Sequence, residues 1–209
     1  MSNGAHRIGI LGAGNVGSAL GKLWMKQHEV TFGVPNPDKS KASLPGDAKV
    51  KSNRDAAAEA DVVVLTVPWP AAEEAVRSAG PLDGKIVIDC TNPVSSDLKS
   101  LVIGTNTSAG EMVQQWATGA RVVKAFNTIG AVNYGNAQFG SQRADGFYCG
   151  DDAKSKQAVK PLIEEAGLEP VDVGPLSNAR ALEAMALLWI DMAVLQGQGP
   201  NHAFKLLRR

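Results

Sequence analysis

The stretch RIGILGAGNVGSALGKLW, residues 7–24, constrains the fold more than any other part of the chain. An apolar run that reads as a strand, Arg7 to Leu11, leads straight into Gly12-Ala13-Gly14-Asn15-Val16-Gly17 and then into an amphipathic helix. Gly12 permits a tight turn, Gly14 lets the backbone approach a pyrophosphate, and Gly17 allows close packing of helix on strand. A helix that starts near Asn15 turns unpaired N–H groups and the positive end of its dipole toward the phosphates. Alone, a GxGxxG is weak evidence. Set between a strand and a helix in a full βαβ unit, it is strong evidence for a dinucleotide site. Flavin-adenine and S-adenosylmethionine sites share parts of the pattern, but they too commonly place an acid after the second strand.

Beyond this unit, short β-branched runs alternate with helical stretches. Strands are expected at 7–11, 29–34, 48–50, 61–67, 85–89, 121–126, 146–149 and 170–173. Helices are expected at 15–26, 53–59, 70–79, 109–118, 152–167 and 177–196, with a short helical turn near 37–42. Such alternation argues for right-handed βαβ units and a mainly parallel sheet covered on both faces. DVVVLTV and KIVIDC are continuous apolar runs, as strands buried on both faces should be. The fold class is therefore α/β and doubly wound. No linker divides the 209 residues, and 44% hydrophobic content supports a well-buried core. The stretch 127–145 is long for a loop in a compact domain, which marks it as functional or mobile. The final helix carries Leu182, Met185, Leu188, Trp189, Met192 and Leu195 on an apolar face, which suits core packing or a homodimer contact.

An acid is missing where a βαβ dinucleotide site often has one. The second strand should end about 20 residues after the first glycine, where an Asp or Glu would grip the adenosine ribose of NAD. The chain instead offers Gly33, Val34, Pro35 and Asn36, then Lys39, Ser40 and Lys41. A carboxylate there would repel a 2′-phosphate, whereas a neutral turn with nearby cations attracts it. Charge-assisted contacts to phosphate contribute about 1.5–3 kcal/mol each when well formed. Asn36, Lys39, Ser40 and Lys41 are the candidates to supply them, with Asp38 opposing and ordinary solvated lysines as the plain alternative. NADP(H) is the expected cofactor.

Ligands of open α/β sheets lie beyond the carboxyl ends of the strands. Those ends carry Thr66-Val67-Pro68-Trp69, Thr91-Asn92-Pro93 and Ala125-Phe126-Asn127-Thr128. Pro68 and Pro93 remove donors and stiffen the chain beside a planar ring. Asn92, Asn127 and Thr128 can bond a carboxamide or an acceptor ring, although the same residues are turn formers. Reducing a ketone needs a proton as well as a hydride. His6 and His28 precede strands, His202 lies near the carboxyl terminus, Lys124 is inside a strand, and Tyr134 and Tyr148 lack a paired base. Hydride transfer to a ring that needs only orientation fits better, with proximity and alignment as the catalytic contribution and no catalytic side chain or metal.

The remaining features narrow the class. Lys plus Arg equals Asp plus Glu at 21 each, which disfavours a nucleic-acid partner. MSNGAHR lacks the apolar core of a signal peptide, and ALEAMALLWIDMAVL is too short and too charged to span a bilayer comfortably. Cys90 and Cys149 form no CxxC or metal spacing and read as buried reduced thiols. A cytoplasmic protein with a small-molecule redox acceptor is expected.

These pieces together resemble a known family. IGILGAGNVGSALGKLW, VVVLTVPW, GKIVIDCTNPV, TSAGEMVQQW, RVVKAFNTIG, GPLSNARALEAMALLW and the terminal FKLL occur in an order similar to the NADP-dependent oxidoreductases of coenzyme F-420, an 8-hydroxy-5-deazaflavin. The set is also similar to the cytosolic reductase domain of the six-transmembrane metalloreductases. The resemblance covers essentially the whole chain. It implies a Rossmann-type domain over 1–145 and a small C-terminal α/β portion over 146–209 that closes the cleft, often in a homodimer. It also implies hydride transfer between NADPH and a deazaflavin or flavin. By position, Gly12, Gly14, Asn15, Val16 and Gly17 would hold the pyrophosphate. Thr66, Val67 and Pro68 would flank the ribose, and Ala125 and Asn127 the nicotinamide. Relatives often carry Ser/Thr-Arg or Val-Arg after the second strand, where this chain has Val34-Pro35. Imine and 3-hydroxyacid reductases begin similarly but add a long helical domain, for which the about 60 residues after the seventh strand leave little room. A module that senses NADP(H) without catalysis is the non-enzymatic alternative.

Overall fold

The computed structural model describes residues 4–40, 44 and 47–209, the side chains of residues 39 and 40 excepted. In chain order the elements are β1 (Arg7–Leu11), α1 (Asn15–Trp24), β2 (Glu29–Gly33), α2 (Pro37–Ser40), β3 (Lys49–Lys51), α3 (Asn53–Glu59), β4 (Val62–Leu65), α4 (Ala72–Ser78) and β5 (Ile86–Asp89). Then follow α5 (Ala109–Trp116), β6 (Arg121–Ala125), β7 (Gln138–Phe139), β8 (Gln142–Arg143), β9 (Asp145–Gly150), α6 (Ala153–Glu165), β10 (Glu169–Asp172) and α7 (Ala179–Ile190). Eight strands form one sheet in the order β10-β9-β6-β5-β4-β1-β2-β3. All its neighbours run parallel except β6 and β9, where Ala125 faces Tyr148 in an antiparallel pair. Strand order reverses between β1 and β4, and a crevice opens at such a point beyond the carboxyl ends of the strands.

The central strands are buried on both faces because alternate side chains point to opposite sides. In β4, Val62 and Val64 join a core with Leu20 and Trp24 of α1 and Leu162 and Ile163 of α6. Val63 and Leu65 join a second core with Ala57 of α3, Val76 of α4 and Val113 of α5. Full burial of a Leu or Phe side chain contributes about 1.5–3 kcal/mol. These two cores hold the strand ends that carry the site.

Element boundaries differ from the sequence expectation where local chemistry intervenes. The fourth strand ends at Leu65 rather than residue 67, since Thr66 turns to bond Leu11 and Pro68 offers no N–H; a 3-10 turn covers Trp69–Ala71. The long C-terminal helix is three pieces: a 3-10 turn at Leu176–Asn178, α7, and a π-helical turn at Asp191–Leu195. The stretch 127–145 is not bare loop, for it contains a 3-10 turn at Ala131–Asn133 and the small β7–β8 hairpin. The apolar stripe of α7 is also rotated from the expected one. Its buried residues are Ala179, Leu182, Glu183 and Ala186, whereas Leu188 and Leu195 are exposed.

Candidate active site

The glycine turn is built by contacts that leave no space for side chains at two of its three glycines. Gly12 sits at φ +112°, and its N–H donates to the Gly33 carbonyl at 3.0 Å, tying the turn to β2. A Cβ on Gly17 would lie 2.3 Å from the Gly12 oxygen. Thr66 Oγ1 lies 3.1 Å from the carbonyls of both Leu11 and Gly12, so this residue braces the turn from β4. Gly14 is the opposite case. Nothing lies within 4 Å of a Cβ placed there, and Gly14 and Asn15 are exposed. No side chain caps α1, and no acid occupies its first turn. The ten-residue helix therefore presents uncapped N–H groups to open space, which fits a pyrophosphate.

Beside this turn lies a cavity of about 370 Å³ between the ends of β1, β2, β3 and β4 and the flank of α4. Gly12, Gly33, Val34, Pro35, Val67, Ala71 and Ala75 give it a largely apolar lining, suited to a flat base and a ribose. Asn36 is exposed and does not line it. Lys39 and Ser40 sit on α2 with side chains outside the described set, and Lys41 lies outside the described residues. Polar residues that sequence reasoning missed line the cavity as well: Ser52, Asn53 and Arg54 around the start of α3, and Glu74 and Ser78 on α4. Asn53 Nδ2 donates to Ser78 Oγ at 2.9 Å, and Ser78 Oγ donates to the Ala75 carbonyl at 3.1 Å. That chain fixes the amide orientation and leaves Asn53 Oδ1 buried with no partner among the described residues. A second cavity, about 240 Å³, lies at the amino edge of the sheet away from the switch point. Charges in its lining are paired, Arg7 with Asp61 and Lys51 with the lining Glu59.

The ends of β5 and β6 meet through two asparagines. Asn92 Nδ2 donates to the Asn127 carbonyl at 3.0 Å, and Asn127 Nδ2 donates to Asn92 Oδ1 at 3.0 Å and to the Leu182 carbonyl at 3.1 Å. Asn127 is 6% exposed, and its Oδ1 has no partner among the described residues. Between β6 and Asn127 stands Phe126 at φ +65°, a strained conformation for a bulky residue. Its carbonyl accepts from Tyr134 Oη at 2.7 Å, and its ring packs edge-on against Trp24 and Tyr134. Ala125, Pro93 and Thr128 are buried around the same point, whereas Pro68 is exposed and Val67 and Val16 are half-buried.

Beneath the asparagines runs a fully buried ion network. Lys124 Nζ is 2.9 Å from Asp89 Oδ2, 2.5 Å from the Thr91 carbonyl and 2.8 Å from Glu183 Oε1. Asp89 Oδ1 accepts from the Thr91 N–H and hydroxyl, and Glu183 accepts from the N–H groups of Ala109 and Gly110 at the start of α5. Burial lowers the Lys124 pKa, but Asp89 and Glu183 outweigh it, and the ammonium is held above its ordinary value. Glu183 interrupts the apolar pattern of α7 in sequence, yet here it faces inward because Lys124 and the α5 N–H groups receive it.

Other titratable groups are accounted for similarly. His28 is buried against Glu165, with the His6 ring tilted against it at 5.4 Å, both at the amino edge. His202 stacks on Trp189 at 4.9 Å. Burial pushes the Cys90 thiol well up and Cys149 to about 12, so both free cysteines stay protonated near neutrality. Among the described residues no three metal-ligating side chains cluster, and no helix is long and apolar enough to cross a membrane.

The geometry converges with comparisons to known proteins. Residues 7–93 match the family described as NADP oxidoreductase, coenzyme F420-dependent. The chain is similar to the F420-dependent NADP reductase of Methanothermobacter marburgensis, 29% identical over 208 residues, covering 90% of this chain and 92% of that protein. It is 28% identical over 185 residues to Metalloreductase STEAP3 of Rattus norvegicus, covering 88% of this chain but only 37% of that longer protein. Among solved structures, a putative F420-dependent NADP-reductase from Arthrobacter sp. FB24 superposes with a TM-score of 0.90 at 28% identity, covering 98% of this chain and 100% of the other. Parallel sheet, glycine turn, switch-point crevice and relatives agree: the chain is an NADP-dependent oxidoreductase similar to the coenzyme F420-dependent NADP reductases.

Proposed function

We propose that this enzyme transfers a hydride between NADPH and a deazaflavin or flavin-like ring, acting in the cytoplasm and by positioning rather than through a side-chain acid. NADPH supplies the hydride when bound. The uncapped start of α1, with Gly12, Gly14, Asn15, Val16 and Gly17, holds the pyrophosphate. Thr66, Val67 and Pro68 flank a ribose, and the cavity beside Val34 and Pro35 takes the adenosine end. Ala125, Asn127, Asn92 and Pro93 receive the nicotinamide, with Asn127 and Thr128 also facing the acceptor. Residues 146–209 act as the portion that closes the cleft, since Leu182 and Glu183 of α7 already bond Asn127 and the start of α5. Exposed Leu188, Val194 and Leu195 support a homodimer contact there.

One observation carries the mechanism. The two candidate donors nearest the asparagine pair are committed elsewhere, Lys124 to Asp89, Thr91 and Glu183, and Tyr134 to the Phe126 carbonyl. Burial also raises the Tyr134 pKa well above its ordinary value. The Asn127 amide oxygen, buried and without a partner among the described residues, would orient a ligand by accepting a hydrogen bond. A second reading, reduction of metal chelates, is favoured by the likeness to STEAP3. Anaerobic NADPH oxidation against deazaflavin, free flavins, quinones and ferric chelates separates the two. Fastest turnover with the deazaflavin or flavin is expected; oxidation only with ferric chelates or quinones would contradict the proposal.

A further inference from the structure

The turn after β2 carries no cation at Val34 and Pro35, yet the cofactor class requires recognition of a 2′-phosphate. We infer that Arg54, from the start of α3, supplies this recognition in place of a residue on that turn. The inference rests on the NADP assignment and adds the residue that determines selectivity.

Arg54 lines the same cavity as Gly33, Val34 and Pro35, and among the described residues it is the cavity's one cationic residue. It reaches this place because β3 lies parallel beside β2 and ends at Lys51, which faces Gly33 across the ladder. Ser52 then caps α3 by accepting from the Asp55 N–H, which places Arg54 one residue inside the helix. Its Cγ and Nε lie 3.7 Å from the Cβ position of Gly80, so the stem runs along the α3–α4 boundary where that glycine leaves space. The side chain is exposed and makes no hydrogen bond or ion pair among the described residues. Surface arginines elsewhere behave differently: Arg7 is paired with Asp61 and Arg77 with Glu73. Glu74, the one acid among the described lining residues, makes no ion pair with Arg54. A guanidinium with five unused N–H donors matches the planar, charged demand of a phosphate monoester better than a lysine point charge.

The test measures dissociation constants of NADPH and NADH by calorimetry at fixed ionic strength for the wild type, Arg54→Ala, Arg54→Lys and the double variant Lys39→Ala/Lys41→Ala. Arg54→Ala should weaken NADPH about 10- to 100-fold while changing NADH less than about twofold. Arg54→Lys should recover only part of the loss. Competition by adenosine 2′,5′-bisphosphate against 5′-AMP on the wild type reads the same contact without any substitution, with the bisphosphate expected to bind at least about tenfold tighter. The inference is overturned if Arg54→Ala leaves the NADPH/NADH ratio unchanged or weakens both cofactors equally. It is equally overturned if the lysine double variant carries the selectivity instead. If the wild type bound neither NADPH nor the bisphosphate, the cofactor assignment itself would fail, a result distinct from any change of ratio. None of these readouts depends on the acceptor.

Discussion

Lys124 shows how far one side chain can be misread from sequence. Inside the run RVVKAF it looks like an interruption of an apolar strand, and Glu183 looks like an interruption of an apolar helix. Neither has meaning until the fold brings them within 2.8 Å, with Asp89 completing the network. Removing one member of a buried ion cluster leaves uncompensated charge and typically costs about 3–5 kcal/mol. Lys124→Met is therefore expected to lower unfolding stability by about that amount. The triple variant Lys124→Met/Asp89→Asn/Glu183→Gln, with no orphaned charge, should recover much of it. Urea unfolding checks both; a Lys124→Met loss under about 1 kcal/mol would show that the carboxylates are relieved by water or protonation instead. Asn127 and Phe126 follow the same lesson. The motif drew attention to Asn127, but its unpartnered oxygen and the positive φ of Phe126 belong to the three-dimensional turn.

At the scale of elements, the periodicity of long segments was legible and their ends were not. Strands β1, β2 and β6 and helices α1 and α3 follow from apolar and helical runs such as RIGIL and RVVKA. The ends of β4 and α7 were set by contacts, Thr66 turning to Leu11 and the π turn beginning at Asp191. The joint between α5 and α7 has a consequence in solution. Arg180 donates to the Glu111 carboxylate, and Ser108 donates to it as well, so Glu111 is held below the usual carboxylate range despite partial burial. Because the folded pKa is the lower one, this contribution is complete above the unfolded value of about 4.3 and is lost as pH falls through the folded value. Asp61, bonded to Arg7, acts in the same direction. Stability should be nearly flat from pH 6 to 5 with respect to these groups and should fall below about pH 4. Glu111→Gln should make that fall shallower. An acid limb of the same slope in the variant would contradict the assignment.

At the scale of the whole molecule, alternating strands and helices announced a mainly parallel sheet, and the glycine turn marked its switch point. The antiparallel entry of β9 beside β6 was not legible, because strand direction is fixed by pairing partners and leaves no mark on the pattern of DGFYCG. Arg54 was hidden for a related reason: β3 is three residues long, and only the sheet places its end beside that of β2. The cleft that results gathers the uncapped start of α1, a largely apolar cavity and the asparagine pair along one edge, with Lys124 and Tyr134 already engaged inside the protein. The central claim, direct hydride transfer to a deazaflavin or flavin-like acceptor, is tested most directly with NADPH deuterated stereospecifically at C4. In a rapid anaerobic single turnover, before exchange with water, the account predicts deuterium on a carbon of the reduced deazaflavin. Deuterium found only in water during that turnover would contradict it.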